Sequence, residues 1–311
     1  MLPVTQSIPV ALLRQDHYGF QETREAVDTL LPAAGITVSR GEKILVKPNL
    51  LHPGNGGLIC THPALVRAVC GHLLDQGASV VAGDSPGFGS AAKVAGIIGM
   101  AEALADLGVD IVNLGSPKRV KLPFGYSVGL SRHALEADRI VNLPKLKAHK
   151  QMRITGAVKN LFGCVTGVRK ALLHSRHGDR TNRFESMILE IGQALPPSVH
   201  VMDAVVAMHK EGPMLGKPYP LSMLAACESA VALDAVVYGI LGLNPDQVPL
   251  WREAQARDLP GAQPDDAAFP LLGPEEFDGS GFLIPKTLDL VSFHPWMLTK
   301  SAVKRAWARL T

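Results

Sequence analysis

Short apolar runs rich in β-branched residues recur along this chain, and each is separated from the next by a stretch of helical periodicity. The expected strands are Ile8–Leu13, Lys43–Lys47, Ser79–Ala82, Asp110–Val112, Arg139–Asn142, Val199–Met202 and Leu221–Ala226. The expected helices between them are Glu22–Ala33, Pro63–Gln76, Ser90–Leu107 and Arg183–Leu195. A run that is apolar at every position has no face to turn toward water. This alternation therefore predicts an α/β fold, a mostly parallel sheet with helices on both faces. Such sheets hold ligands outside the carboxyl ends of their strands. The site is expected at that edge, where the exits read Lys47-Pro48-Asn49, Gly83-Asp84-Ser85, Asn142-Leu143-Pro144-Lys145 and Asp203.

Composition narrows the class. The 311 residues are 47% hydrophobic and 19% charged, enough apolar material for a large core. A net charge of +3 argues against a general nucleic-acid binder. The four cysteines, Cys60, Cys70, Cys164 and Cys227, are far apart, with no C-x-x-C, which argues against a ferredoxin-type cluster, a zinc ribbon or a disulfide framework. Met1–Leu13 lacks the basic region and cleavage site of a secretory signal. The most apolar stretch, Leu221–Leu243, carries Glu228 and Asp234 and breaks at Ser229, so no membrane span is expected, and the expected location is the cytoplasm.

Charge is concentrated in one window. Lys145 to Arg183 contains ten basic residues against Asp179 alone, a local charge of +9. His149, His174 and His177 fall in the same window, as does Thr155-Gly156-Ala157-Val158-Lys159-Asn160-Leu161-Phe162-Gly163. Glycines admit a close backbone approach and lysines supply charge, so the window is read as a pocket for a phosphate, a carboxylate or a nucleotide. A solvated basic face is the competing reading.

Individual motifs carry less. Gly83-Asp84-Ser85-Pro86-Gly87 fits the nucleophile elbow of serine hydrolases, but Pro86 has no N–H to give the oxyanion hole. Gly87-Phe88-Gly89-Ser90-Ala91-Ala92 at a helix start fits a phosphate or carboxylate cradle, with Ser85, Gly87 and Gly89 as contacts, equally a purely structural turn, and less well a dinucleotide-binding loop. Asp84 is a candidate base or metal ligand, or a turn cap. Lys47 is a ligand contact or a rim lysine. A metal site would draw on Asp84, His174 and Asp203. Asp234, in an apolar helix, needs a partner, and one of the basic residues is expected to supply it.

The strings ILVKPNL (44–50), THPALVRAV (61–69), GASVVAGDSPG (77–87), VNLPKLKAHKQMRITGAVKNLFGCV (141–165), VMDAVVAMHKEGPMLGKP (201–218) and AVALDAVVYGILGL (230–243) resemble the family called domain of unknown function 362. That family is prokaryotic and often joined to ferredoxin-type iron–sulfur modules. The resemblance implies a redox-associated protein, with an iron–sulfur protein as partner and not as part of this chain.

Together these readings give an α/β core over residues 1–250. A Pro/Gly/acid-rich excursion (258–282) and a C-terminal helix (Trp296–Thr311) docked on the core follow it within 251–311. The leading expectation is a redox-linked, oxidoreductase-type enzyme acting on an anionic small molecule or a phosphate-bearing cofactor. Lys145, Lys147, Lys159, Asn160 and Asn49 hold the anion, and His149, Asp84 and Lys47 carry the chemistry. The alternatives are a non-catalytic module presenting a ligand or cluster, and a metal-dependent hydrolase or transferase.

Overall fold

The computed structural model describes residues 7–86, 89–123, 125–166 and 183–286. Among these lie fourteen strands: β1 (Ile8–Pro9), β2 (Ala11–Arg14), β3 (Lys43–Pro48), β4 (Ser79–Asp84), β5 (Ile111–Asn113), β6 (Pro117–Lys121), β7 (Ser127–Ser131), β8 (Arg139–Leu143), β9 (Lys145–His149), β10 (Arg153–Thr155), β11 (Ser198–His209), β12 (Lys217–Tyr219), β13 (Met223–Cys227) and β14 (Ala267–Ala268). The helices are α1 (Phe20–Ala33), α2 (Pro63–Asp75), α3 (Ala91–Ile97), α4 (Met100–Leu104), α5 (Arg132–Leu135), α6 (Ala157–Leu161), α7 (Arg183–Ala194), α8 (Ala230–Ile240) and α9 (Pro249–Ala256).

Ten strands form one sheet. Its heart, β11-β8-β3-β4-β5, is parallel throughout, and β9 also runs parallel to β11. The margin formed by β10, β12, β13 and β2 is antiparallel. Period-two alternation divides the strands between two cores. Ile44 and Val46 of β3, Val141 and Leu143 of β8, and Val199 and Val201 of β11 face α1 to α4. Leu45 and Ile140 face α6 and α7, while Met202 and Ala204 face α8. Both faces are thus covered, as continuous apolar strands require.

The expected strands hold with shifted ends. Ile8–Leu13 is two strands, because Val10 donates to Ala268 O and tethers β1 to β14 while β2 pairs with β13. Val199–Met202 is the middle of the twelve-residue β11. The Ser90–Leu107 helix is interrupted at Gly99, whose φ of 78° lies in the left-handed region and separates α3 from α4. Ser229 does divide strand from helix, its Oγ accepting from Ala232 N at 3.2 Å at the start of α8.

The excursion 258–282 is packed on the body. Phe277 and Phe282 are buried in the α8 core, and Trp251 Nε1 donates to Ala262 O at 2.7 Å. Aromatic anchors set among the prolines and acids hold it there. The expected C-terminal helix, Trp296–Thr311, lies outside the described residues.

Candidate functional site

From β3 the chain runs through α2 to β4 on one side, while β8 lies against the other edge of β3. A crevice therefore opens beyond the carboxyl ends of β3 and β8, at the point where the strand order reverses. Pro144 separates β8 from β9, so Lys145 and Lys147 stand just past that edge. Leu146 and Ala148 belong to the α8 core, and alternation turns Lys145 and Lys147 to the opposite face.

Lys145 is the floor of the crevice. Its Nζ lies 3.0 Å from Asp203 Oδ2 and donates to the Tyr18 hydroxyl at 2.9 Å. Tyr18 in turn donates to Asp203 Oδ1 at 2.6 Å and accepts from Val206 N at 3.2 Å. Burial first, then the adjacent Asp203 carboxylate, pushes the Tyr18 phenol far up, so it stays protonated. His62 stacks on Tyr18 with ring centroids 3.7 Å apart and an interplanar angle of 10°. Its backbone N–H donates to Asp203 Oδ2 at 2.8 Å.

His62 is also the N-cap of α2, its Nδ1 accepting from Ala64 N at 3.2 Å. An accepting Nδ1 assigns the proton of the neutral ring to Nε2. Burial, opposed by Asp203 and aided by Lys145, lowers the imidazole below its ordinary value and keeps it neutral. The site thus presents a cation (Lys145) and a neutral N–H donor (His62) side by side.

Beside this floor lies a second polar cluster. Lys47, wholly buried, pairs with Asp84 Oδ1 at 2.9 Å. Asp84 also accepts from Leu50 N and Ser85 N, both at 2.8 Å. Asn160 Oδ1 accepts from Asn49 Nδ2 at 2.8 Å and Lys47 Nζ at 3.3 Å, and its Nδ2 donates to Asn142. Lys147 donates to Asn49 Oδ1 and to Ile59 O. Among the described residues its ammonium has no carboxylate at ion-pair distance, and burial lowers it to about 8. The Cα of Gly163 backs onto this cluster; a Cβ there would stand 2.6 Å from Asp84 Oδ1 and collide with the Lys47 ammonium.

A cleft of about 920 Å³ opens above the floor, lined by Tyr18, Cys60, His62, Arg67 and Lys145 together with apolar side chains. Of the expected site residues, Lys47, Asn49, Asp84, Lys145, Lys147, Asn160 and Asp203 gather at this edge. His149 ends β9, and its Nδ1 accepts from Gln151 N and Met152 N. Burial, then Lys159 and Lys147, pushes it down to about 3. Lys159 lies over the Phe162 ring at 4.3 Å. Ser85 gives its N–H to Asp84. Gly89 has φ 79° ahead of α3, where Ser90 Oγ accepts from Lys93 N and Asn113 Oδ1 accepts from Ala91 N, so those two amides are spent within the protein.

Asp234 is a correction. Among the described residues its hydrogen-bond partners are not basic side chains but the amides of Ala157 and Val158 at 2.6 and 3.0 Å, at the start of α6. A buried carboxylate at a helix N-terminus is satisfied by donors that no charge count reveals. Gly87, His174 and much of the basic window (167–182) lie outside the described residues. Among the described residues no three His, Cys, Asp or Glu side chains converge on a metal-sized site. Tyr18, His62 and Arg67 were not anticipated; the His-Pro pair opening α2, the first α-helix after β3, was the available signal for His62.

The sequence-family model described as "Domain of unknown function (DUF362)" matches residues 44–239. A thylakoid-associated protein of Synechocystis sp. is 36% identical over 307 residues, 96% of this chain and 95% of that one. Two solved structures are similar at 14% identity. The lactate racemase apoprotein of Thermoanaerobacterium thermosaccharolyticum has TM-score 0.44 over 75% of this chain and 57% of its own. A protein of Thermotoga maritima has TM-score 0.40 over 67% and 56%. The chain therefore spans little more than half the length of either structure, and neither superposition bears on the site. Among the described residues no helix is long and apolar enough to cross a membrane.

Proposed function

The chain belongs to the family described as domain of unknown function (DUF362), and from that premise we propose that it is an enzyme acting on an anionic small molecule seated in the cleft over Lys145. The observation that carries this reading is the joint presentation of Lys145 and the His62 Nε2–H at the carboxyl edge, beside an open volume of about 920 Å³. Three buried lysines, Lys47, Lys145 and Lys147, face two carboxylates, Asp84 and Asp203. Among the described residues this edge carries one positive charge more than its ion pairs neutralise, and in this reading a bound carboxylate or phosphate balances it.

In this reading the protein's own groups polarise the substrate more than they move its protons. Lys145 and His62 donate to the oxyanion or carbonyl, and Asp203 holds both in place through its contacts with Lys145 Nζ, Tyr18 and the His62 amide. The redox link rests on the family resemblance. Cys60, Cys70, Cys164 and Cys227 are separately buried thiols, so an iron–sulfur centre in this reading belongs to a partner. A second reading, a module that binds without turnover, draws support from the saturated hydrogen bonding of Tyr18 and Asp203.

Native mass spectrometry of anaerobically purified protein, followed by a thermal-shift screen of small carboxylates and phosphates, tests the proposal. Stabilisation by an anion is expected by linkage, and His62→Phe, which keeps the stack on Tyr18 but removes the donor, is expected to abolish it. An unresponsive wild type would overturn the site. Binding without turnover of any retained or tested anion would favour the module.

A further inference from the structure

The walls of the cleft are unlike its floor. Among the described residues five large hydrophobic side chains are exposed, and two of them, Phe20 at 57% and Ile97 at 59%, line this one cleft together with Leu58 and Ile98. They come from three separate elements: the start of α1, the loop after β3, and the junction of α3 and α4. The charges at the outer wall do not invite an anion. Arg67 reaches across to Asp106, with Nη2 donating to Oδ2 at 2.7 Å, and to Ala103 O at 2.6 Å, while its guanidinium lies over the Phe20 ring at 5.5 Å. Its cation is spent, and Glu102 adds a carboxylate to the same wall. Polarity therefore runs from a lysine-rich floor, with one positive charge in surplus behind Lys145, to an apolar and weakly acidic mouth.

Resting on the anion-site reading above, we propose that the occupant is amphipathic: a small carboxylate whose head meets Lys145 and His62 and whose hydrocarbon body lies between Phe20 and Ile97. A carboxylate without such a body would leave these side chains facing water. An apolar molecule without a charged head would leave the surplus lysine charge unbalanced.

Calorimetry with acetate, butyrate, hexanoate and octanoate, all below micellar concentration, and with 1-octanol as the uncharged control, tests this. Burial of each methylene is expected to tighten binding two- to fourfold. In the Phe20→Ser/Ile97→Ser variant, whose changed positions are exposed, the dependence on chain length is expected to vanish. Acetate and octanoate binding alike would overturn the amphipathic assignment and leave the anion site standing. Octanol matching octanoate, with both indifferent to His62→Phe, would overturn the charged head and with it the anion site. Silence across the whole series would overturn both.

Discussion

Lys145 and Asp203 stand in register on the neighbouring parallel strands β9 and β11, and their side chains close a 3.0 Å ion pair that is almost wholly shielded from water. The pair is held from three further directions, by the Tyr18 hydroxyl and by the amides of His62 and, through Pro144 O, of Asp203 itself. Removing one member strands the other charge. Lys145→Met is expected to cost about 3–5 kcal/mol, and Lys145→Met/Asp203→Asn to recover more than half of it. Urea unfolding of the two variants checks this. A loss in the single variant below about 1 kcal/mol would place the pair with exposed salt bridges.

Gly163 marks the closest approach of backbone to the Lys47–Asp84 pair. Gly163→Ala puts a methyl group 2.6 Å from Asp84 Oδ1, so the ion pair or the turn at 162–164 must move. The expected cost is about 1–3 kcal/mol. Gly96, inside α3 with nothing within 4 Å of a built Cβ, is the control. Gly96→Ala is expected to raise stability by about 0.5–1 kcal/mol. Paired thermal melts decide it, and equal behaviour of the two variants would remove Gly163 from the site's architecture.

Much of the sheet was legible because β3, β4 and β8 are apolar on both faces, a pattern that few alternatives to a covered parallel strand produce. The hairpin of β6 and β7 was not, since Pro117–Lys121 is polar and its pairing depends on a partner several residues away. Lys145, Lys147 and His149 read as part of a basic window and not as a strand because charge masks their period of two; only the paired Leu146 and Ala148 betray a strand. Lys47, Asn49 and Asp84 were found from their places at strand exits. Tyr18 was not, because its role comes from a contact with Asp203 that spans 185 residues of sequence. Local pattern points to the edge where the candidate site lies, whereas long-range register selects the side chains that meet there.

His149 and His200 make stability depend on acid. Burial lowers each to about 3, with Lys159 and Lys147 adding to the effect at His149. Above pH 6.5 the ring is neutral whether the chain is folded or not. Between 6.5 and about 3 the unfolded chain takes up a proton that the folded one refuses, so stability falls as pH falls, by about 1.4 kcal/mol per pH unit for each histidine. His200, whose Nδ1 faces the Asn142 amide at 3.0 Å, is the simpler test. The stability of His200→Asn, measured by denaturant from pH 7 to 4, is expected to fall less steeply than that of the wild type by that amount. Parallel curves would mean that His200 titrates as it does in the open chain.

Lys147 ties ligand affinity to alkaline pH. Burial holds its ammonium down to about 8, and its partners are the Asn49 side chain and the Ile59 carbonyl. It lies behind Cys60, which faces the cleft, and the two groups interact electrostatically. Below pH 8 Lys147 adds a positive charge beneath an anion in the cleft, and above pH 8 that charge is lost, so carboxylate affinity is expected to fall several-fold between pH 7 and 9.5. The same coupling works in reverse: a bound anion favours the charged amine, so binding at pH 8.5 takes up a fraction of a proton. Burial raises the Cys60 thiol, which is therefore already protonated, and lowers His62, which stays neutral, so neither is the group that accepts that proton. Calorimetry at pH 8.5 in two buffers of different ionisation enthalpy measures the uptake directly. Lys147→Met is expected to abolish both the uptake and the pH dependence, and a wild type that binds without proton uptake would uncouple Lys147 from the cleft.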